Sequence, residues 1–144
     1  MIGKILQILR AIFSKPAGTF DVPSSRDFIP YANISYDSEK EIIQIKDIPP
    51  NIWLAGVDDT NSMDPVVDAG HTCILTNNFE HKDLTVGDVV VYQYYTKKIM
   101  HRIVKITKDS EGRIFTLRGD NTGRHDPFIL RDQNIKWLLL GIIY

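Results

Sequence analysis

Cysteine is almost absent from this chain of 144 residues, in which Cys73 is the only one. A single thiol cannot form an internal disulfide, so the fold depends on its core, and the redox compartment is left open. An excess of one charge is also missing, because 17 Lys and Arg residues stand against 18 Asp and Glu residues, for a net charge of −1. The basic footprint of a nucleic-acid-binding protein is therefore absent, and we expect no nucleic-acid partner.

The signatures of metal and nucleotide sites are missing too. The chain contains no HExxH or CxxC motif, and His71 and Cys73 have no second pair of possible ligands to match them. No glycine-rich loop opens a helix in the way that phosphate binding requires. Apolar runs of the roughly 20 residues needed to cross a bilayer do not occur either. The sequence thus predicts a soluble, cytoplasmic protein with no metal and no cofactor.

The N-terminus carries an amphipathic pattern. Residues 1–15 place apolar side chains at helical spacing, with Lys4, Gln7 and Arg10 on the other side. We expect this stripe to be buried against the domain or against another chain, as in a homo-oligomer or a larger assembly. Contact with a membrane surface is the less favoured alternative. Proline and glycine then break the helix, and residues 16–51 are predicted to form an extended arm.

From residue 52 the pattern changes to short runs rich in β-branched and aromatic residues. Turn signals such as Ala69-Gly70 and Ser110-Glu111-Gly112 separate runs of strand length. Strands do not alternate with helices, and no internal repeat occurs. The prediction is one mainly β domain over residues 52–144, with helix confined to the N-terminus. The six runs are NIWLAGV, HTCILT, DVVVYQYY, KIMHRIVKI, RIFTLRG and IKWLLLGIIY.

A polar stretch between the first two runs, VDDTNSMDPVVDAGHT, contains a candidate nucleophile, Ser62. Such a loop also forms for backbone hydrogen bonding alone. A serine hydroxyl is a weak nucleophile unless a neighbouring base takes its proton. His101, in the middle of KIMHRIVKI, is the best candidate for that base, and a satisfied core or surface histidine is the alternative. Asp120 or Asp126 could orient the imidazole, with a simple turn as the alternative for Asp120.

The blocks NSMDP, GDVVVYQ, MHRIVKI and RGDNTGRHDP occur in this order before a closing apolar strand. In type, order and separation they resemble the serine proteases that unite type I signal peptidases with the self-cleaving LexA and UmuD proteins, over about residues 53–144. The resemblance implies a coiled β-sheet protease domain. The dipeptide His101-Arg102 is similar to that of the histidine-base signal peptidases of archaea and the endoplasmic reticulum, whereas the other branches use lysine.

The resemblance also implies the roles of individual residues. Ser62, followed by Met63, falls on the nucleophile, and His101 falls on the base. Asp126 is favoured as the orienting carboxylate, with Asp120 close behind. Thr60 and the backbone N–H of Ser62 are implied to form the oxyanion hole, where one donor is worth roughly 3 kcal/mol. Met63 is expected to anchor the loop in the core.

The predicted function is a soluble serine endopeptidase that cleaves an extended peptide or protein substrate. The transmembrane anchor of signal peptidases is not recognised in the chain, and self-cleavage of the LexA kind would fall at Ala17-Gly18 in the arm. The alternative is a catalytically silent assembly or interaction module on the same fold. Small members with a similar nucleophile block look like phage-encoded proteins, so this alternative would place the protein in a virion.

Overall fold

The computed structural model describes residues 23–144. The amphipathic pattern of residues 1–15 and the Ala17-Gly18 bond lie outside the described residues. Two antiparallel sheets dominate the described part, and helix is limited there to three 3₁₀ turns at Tyr31–Asn33, His81–Asp83 and Asp132–Asn134. The prediction of a mainly β fold is confirmed. No helix between residues 23 and 144 has the length and apolar character needed to cross a membrane.

The larger sheet has six strands, one from each of the six predicted runs. A small sheet of β1 (Ile34–Asp37) and β2 (Ile42–Ile45) precedes it in the chain. The order across the large sheet is β3-β4-β8-β5-β6-β7, so β3 and β7 are its edges. Its strands are β3 (Ile52–Ala55), β4 (Thr72–Thr76), β5 (Val89–Tyr94), β6 (Lys97–Asp109), β7 (Gly112–Arg118) and β8 (Ile135–Ile143).

Both faces of the large sheet are buried at its inner strands, because successive side chains of a strand point to opposite faces and both sets are apolar there, whereas the edge strand β3 is largely exposed. On β5, Val90 and Tyr92 join one core cluster, whereas Val89 and Val91 join the other. Val90 pairs with His101 across the β5–β6 ladder, so we call its side the histidine face. The opposite side, covered by the loop between β3 and β4, is called the loop face.

Part of the expected arm is folded onto the domain rather than extended away from it. The β1–β2 hairpin lies within residues 16–51, and Ile45 packs against the core of the histidine face, as do Phe28 and Ile29. The physical reason is local. Apolar residues recur at every second position on both hairpin strands, and Asp37 accepts hydrogen bonds from the backbone of the intervening turn.

Candidate active site

The loop between β3 and β4 is anchored on the loop face by two buried side chains. Met63 is 4% exposed and Val67 is 3% exposed, and both belong to the core cluster with Leu75, Val91 and Leu139. Burying a side chain of this size contributes about 1.5–3 kcal/mol. Ser62 therefore directly precedes the residue that fixes the loop, which keeps its backbone in place beside the sheet.

The tripeptide 119–121, which follows β7, holds this nucleophile loop from the other side. The Asn121 backbone N–H donates to the Ser62 carbonyl at 3.0 Å, and its side-chain amide donates to the Asn61 carbonyl at 2.9 Å. Asn61 has φ of +54°, a left-handed conformation that asparagine tolerates better than most residues. Two hydrogen bonds from one residue thus clamp the turn that presents Ser62.

Gly119 marks the point where Ser62 and His101 come together. A Cβ built on Gly119 would lie inside van der Waals contact of the Ser62 carbonyl and 3.0 Å from His101 Nε2. The nucleophile loop and the imidazole edge therefore both approach the same backbone position. Only a residue without a side chain leaves room for that approach.

His101 is paired with Asp126 on the histidine face. Its Nδ1 lies 2.7 Å from Oδ2 and 2.9 Å from Oδ1 of Asp126, and the two side chains are 10% and 12% exposed. A carboxylate only accepts hydrogen bonds, so Nδ1 must carry a proton, and in the neutral ring the lone pair is left on Nε2. That lone pair lies at the Gly119 end of the ring, where the Ser62 backbone also approaches.

Tyr92 completes the surroundings of Asp126. Its hydroxyl donates to Asp126 Oδ2 at 2.9 Å, and Tyr92 is fully buried. Burial, followed by the charge of Asp126 and the hydrogen bond to it, raises the pKa of Tyr92 well above its ordinary value. The phenol therefore stays protonated at neutral pH and remains a donor to the carboxylate. The Asp126 backbone N–H is bound to the Leu117 carbonyl at 2.9 Å, which ties this carboxylate to β7.

The second candidate carboxylate, Asp120, is engaged elsewhere. Arg102 donates from Nε to Oδ1 at 2.8 Å and from Nη2 to Oδ2 at 2.6 Å, a bidentate pair whose side chains are 5% and 4% exposed. Of the two aspartates, Asp126 is thus the one placed on the imidazole. Asp120 instead anchors the tripeptide that contacts Ser62 and His101. The reading of Asp120 as an orienting carboxylate is not supported by these contacts.

The hydroxyl of Ser62 lies 3.1 Å from that of Thr60. Within residues 23–144, this is the hydrogen bond that the structure gives Ser62 Oγ, and none joins it to His101. Hydrogen bonds between nucleophile and base are often long or absent without substrate. Either hydroxyl can be the donor in this pair, so the Thr60 proton is available to an oxyanion when Ser62 is the donor or when the two hydroxyls separate.

A groove of about 340 Å³ opens beside Ser62 on the loop face. Its volume lies in the range of ligand sites. One wall is β3, whose outer edge has no partner strand in the sheet formed by residues 23–144, and the Lys98 ammonium lies 5.4 Å above the Trp53 ring at the rim. The apolar lining is supplied by Trp53, Ala55, Leu75, Val91 and Met100.

Asp64, two residues after Ser62, has an unusual carboxyl group. Its Oδ1 is buried and has no hydrogen-bond partner among residues 23–144. Burial first, and then the charges of Asp68 and Asp59 and a hydrogen bond with Asp68, raise the pKa of Asp64 above its ordinary value. The carboxyl group is thus easier to protonate in the folded chain than in the unfolded chain.

Sequence reasoning gave no role to Tyr92 and named Asn121 only as part of a motif. The sequence did hold a signal for Tyr92, because it lies in a run expected to be buried, and a buried tyrosine hydroxyl usually has a hydrogen-bond partner. In the structure, Tyr92 lies two positions after Val90, which pairs with His101. The role of Asn121 depends on contacts between segments about 60 residues apart, for which a single sequence holds no comparable signal.

Comparisons with known proteins point in one direction. The chain is 31% identical over 78 residues to Signal peptidase I W of Bacillus subtilis, covering 54% of this chain and 41% of the relative. It is 32% identical over 95 residues to the Signal peptidase complex catalytic subunit SEC11 of Eremothecium gossypii, covering 58% of this chain and 56% of the relative. No family model and no solved structure matches the chain.

The chain spans about half the length of the curated relatives that it matches. Both relatives carry signal peptidase names, although they come from a bacterium and a fungus. The relationship that was expected from the nucleophile, His-Arg and Gly-Asp-Asn blocks agrees with the names of these relatives. The matches identify this chain as distantly similar to proteins named signal peptidases.

Proposed function

We propose that this protein is a serine endopeptidase in which Ser62 is the nucleophile, His101 the general base and Asp126 the carboxylate that orients it. The observation that carries the proposal is the buried His101–Asp126 pair, whose free Nε2 points at the Gly119 position that the Ser62 backbone also touches. The relatives' names supply the reaction class, hydrolysis of a peptide bond. We assign this reaction to the domain over residues 52–144, against which Phe28, Ile29 and Ile45 of the arm pack.

In the proposed reaction, His101 Nε2 takes the proton from Ser62 Oγ as the oxygen attacks the scissile carbonyl. Asp126 stabilises the imidazolium that forms, and Tyr92 holds Asp126 in place. The imidazolium then gives its proton to the leaving amine. His101 Nε2 next takes a proton from water as the water attacks the acyl-enzyme, and it returns that proton to Ser62 Oγ as the acid product leaves. Thr60 releases Ser62 Oγ at the moment of attack and is then free to donate, with the Ser62 backbone N–H, to the oxyanion.

The substrate suited to this site is an extended peptide. The edge of β3 that no strand of the described residues pairs with offers backbone donors and acceptors to an added strand, and the groove beside it accepts alternate side chains. The lining is mostly apolar, with Lys98 at the rim. Peptides with small or apolar residues beside the cleaved bond are the proposed class.

The test is intact-mass spectrometry after incubation with a fluorophosphonate and, separately, with a mixed peptide pool. Wild type should gain one phosphonyl adduct and produce new peptide fragments, whereas Ser62→Ala should do neither. Ser110→Ala, which removes a serine at the β6–β7 turn, is the matched control and should behave as wild type. In His101→Ala, labelling should slow by about 10³-fold or more.

An assembly module is the second candidate, and one surface favours it. Tyr36 and Ile43 are paired across the β1–β2 hairpin and are 64% and 70% exposed. Adjacent exposed apolar side chains of this size are typical of interaction sites. A folded wild-type protein that forms neither adduct nor fragments would refute the protease proposal and favour this second function.

A further inference from the structure

The first described residues of the arm lie against the turn that precedes β5. We call residues 23–26 the strap. Gly87, in that turn, has φ of +106°, and a Cβ built on it would overlap the Ser24 carbonyl. The strap backbone therefore lies directly on the turn backbone, which is a closer contact than a linker passing over a surface makes.

Arg26 fixes the strap to the turn through a buried charge. Its Nε lies 3.0 Å from Asp88 Oδ1 and its Nη2 lies 2.6 Å from Oδ2, while Asp88 is fully buried. The Thr85 backbone N–H also donates to Asp88, at 2.9 Å. The turn is bound in its own right to β6, because the backbones of Gly87 and Asp88 exchange hydrogen bonds with Ile103, two residues after the histidine.

Ser25 connects the strap to Arg102, the residue next to His101. Its hydroxyl accepts from Arg102 Nη1 at 2.8 Å and donates to the Gly87 carbonyl at 2.9 Å. Arg102 Nη1 reaches the same carbonyl at 2.8 Å. The remaining nitrogens of Arg102, Nε and Nη2, bind Asp120. One planar guanidinium thus joins the strap, the turn and the tripeptide that contacts the site.

We propose that Ser25 and Arg26 are positioning residues for the Ser62–His101 site, and that they act through Arg102 and Asp120. The inference rests on the proposed function for its kinetic consequence. Ser25 of the strap is hydrogen-bonded to Arg102, and Arg102 is hydrogen-bonded to Asp120. The two chain neighbours of Asp120, Gly119 and Asn121, contact the site. Gly119 borders His101 Nε2, and Asn121 donates to the Ser62 carbonyl.

The physical reason is the rigidity of the guanidinium. Its donors lie in one plane, so the direction of Nη1 and the direction of the fork that binds Asp120 cannot change independently. When Ser25 no longer accepts from Arg102 and Arg26 no longer binds the strap to Asp88, Arg102 is free to tilt. Asp120 then tilts with it, and the spacing between Ser62 and His101 changes.

The test uses the full chain with two readouts. The first is the second-order rate of fluorophosphonate labelling at Ser62, which needs no knowledge of the substrate. The second is the NMR signal of the His101 Nδ1 proton, which reports the His101–Asp126 hydrogen bond whether or not the site is active. Both are recorded well below the melting temperature of each variant.

We expect Ser25→Ala/Arg26→Gln to label about tenfold more slowly than wild type and to shift or broaden the Nδ1 proton signal. Ser25→Thr keeps the hydroxyl and should stay within about twofold of wild type. The matched control is Arg131→Gln, because Arg131 makes an equally bidentate pair with Asp109 at the far end of β6. This control should lose stability and keep both readouts.

A folded double variant with the wild-type labelling rate and an unchanged Nδ1 signal would overturn the proposal. If the double variant does not fold, Ser25→Ala alone decides, because Ser25 is exposed and its replacement leaves the Arg26–Asp88 pair intact. If wild type itself is not labelled, the protease function fails. The Nδ1 signal then still decides whether the strap positions His101.

Discussion

The hydroxyl of Tyr92 should matter for both stability and catalysis, and Tyr92→Phe tests this with a nearly isosteric change. The substitution removes the donor that lies 2.9 Å from Asp126 Oδ2 and leaves the buried ring in place. A hydrogen bond to a charged group contributes about 1.5–3 kcal/mol, and the side chain of Asp126 is only 12% exposed, so water replaces the donor incompletely. The melting temperature should fall by roughly 4–10 °C for a domain of this size.

The catalytic effect follows from the same carboxylate. Without the phenol, Asp126 keeps its contact with His101 but loses one of the groups that fix its orientation. If the less well-oriented imidazole raises the activation free energy by about 1.4 kcal/mol, a fluorophosphonate labels Ser62 tenfold more slowly. Tyr94→Phe is the control, because the Tyr94 ring stacks on Phe128 at 3.8 Å and its aromatic packing survives the change.

The pH dependence gives an independent check on Tyr92. The folded chain raises the pKa of this phenol, so the group favours folding below its ordinary pKa of about 10, and this stability is lost as the pH rises beyond that value. Unfolding of the wild type should therefore become easier above about pH 10 to a greater extent than that of Tyr92→Phe. A variant that matches the wild type in melting temperature, labelling rate and alkaline stability would refute the reasoning.

Three further substitutions have defined outcomes. Gly119→Ala should slow labelling at least about 100-fold while circular dichroism stays that of a folded β protein, because the new Cβ meets the Ser62 carbonyl and His101 Nε2; wild-type labelling would contradict this. Asn121→Ala removes the side-chain hydrogen bond to the nucleophile loop. It should lower the free energy of unfolding by about 1 kcal/mol and the labelling rate by about tenfold. Unchanged stability and an unchanged labelling rate would contradict this. Asp64→Asn should raise the melting temperature at pH 7 and leave it unchanged near pH 3, since the raised pKa of Asp64 makes ionisation unfavourable in the fold as the pH rises through its ordinary value; an equal gain at both pH values would show that its charge is not the cause.

The elements of the large sheet were readable from the sequence. Each run of β-branched and aromatic residues forms a strand, because burial on both faces of a sheet requires apolar residues at successive positions, and the turn residues between runs end each strand. The family relationship was readable as well, since short blocks in a fixed order carry it. The residues proposed for catalysis were named from those blocks.

The arm was less readable. Its prolines suggested a linker, yet Ser25 and Arg26 bind a turn more than 60 residues away in the chain. The buried charge of Asp88 needs a partner, but nothing in the sequence identifies which of the 17 basic residues provides it. Pairing of this kind depends on which segments the fold brings together.

What the sequence alone determined was the strand content, the candidate nucleophile and base, and the two candidate carboxylates. Only the tertiary structure decided between those carboxylates, since Asp120 and Asp126 lie six positions apart on one loop and differ in which side chain each meets. The bidentate fork of Arg102 takes Asp120, and the imidazole of His101 takes Asp126. Propensity and pattern act over a few residues, whereas the contacts of these carboxylates join β5, β6 and the segment after β7, and their geometry exists only when the strands are paired.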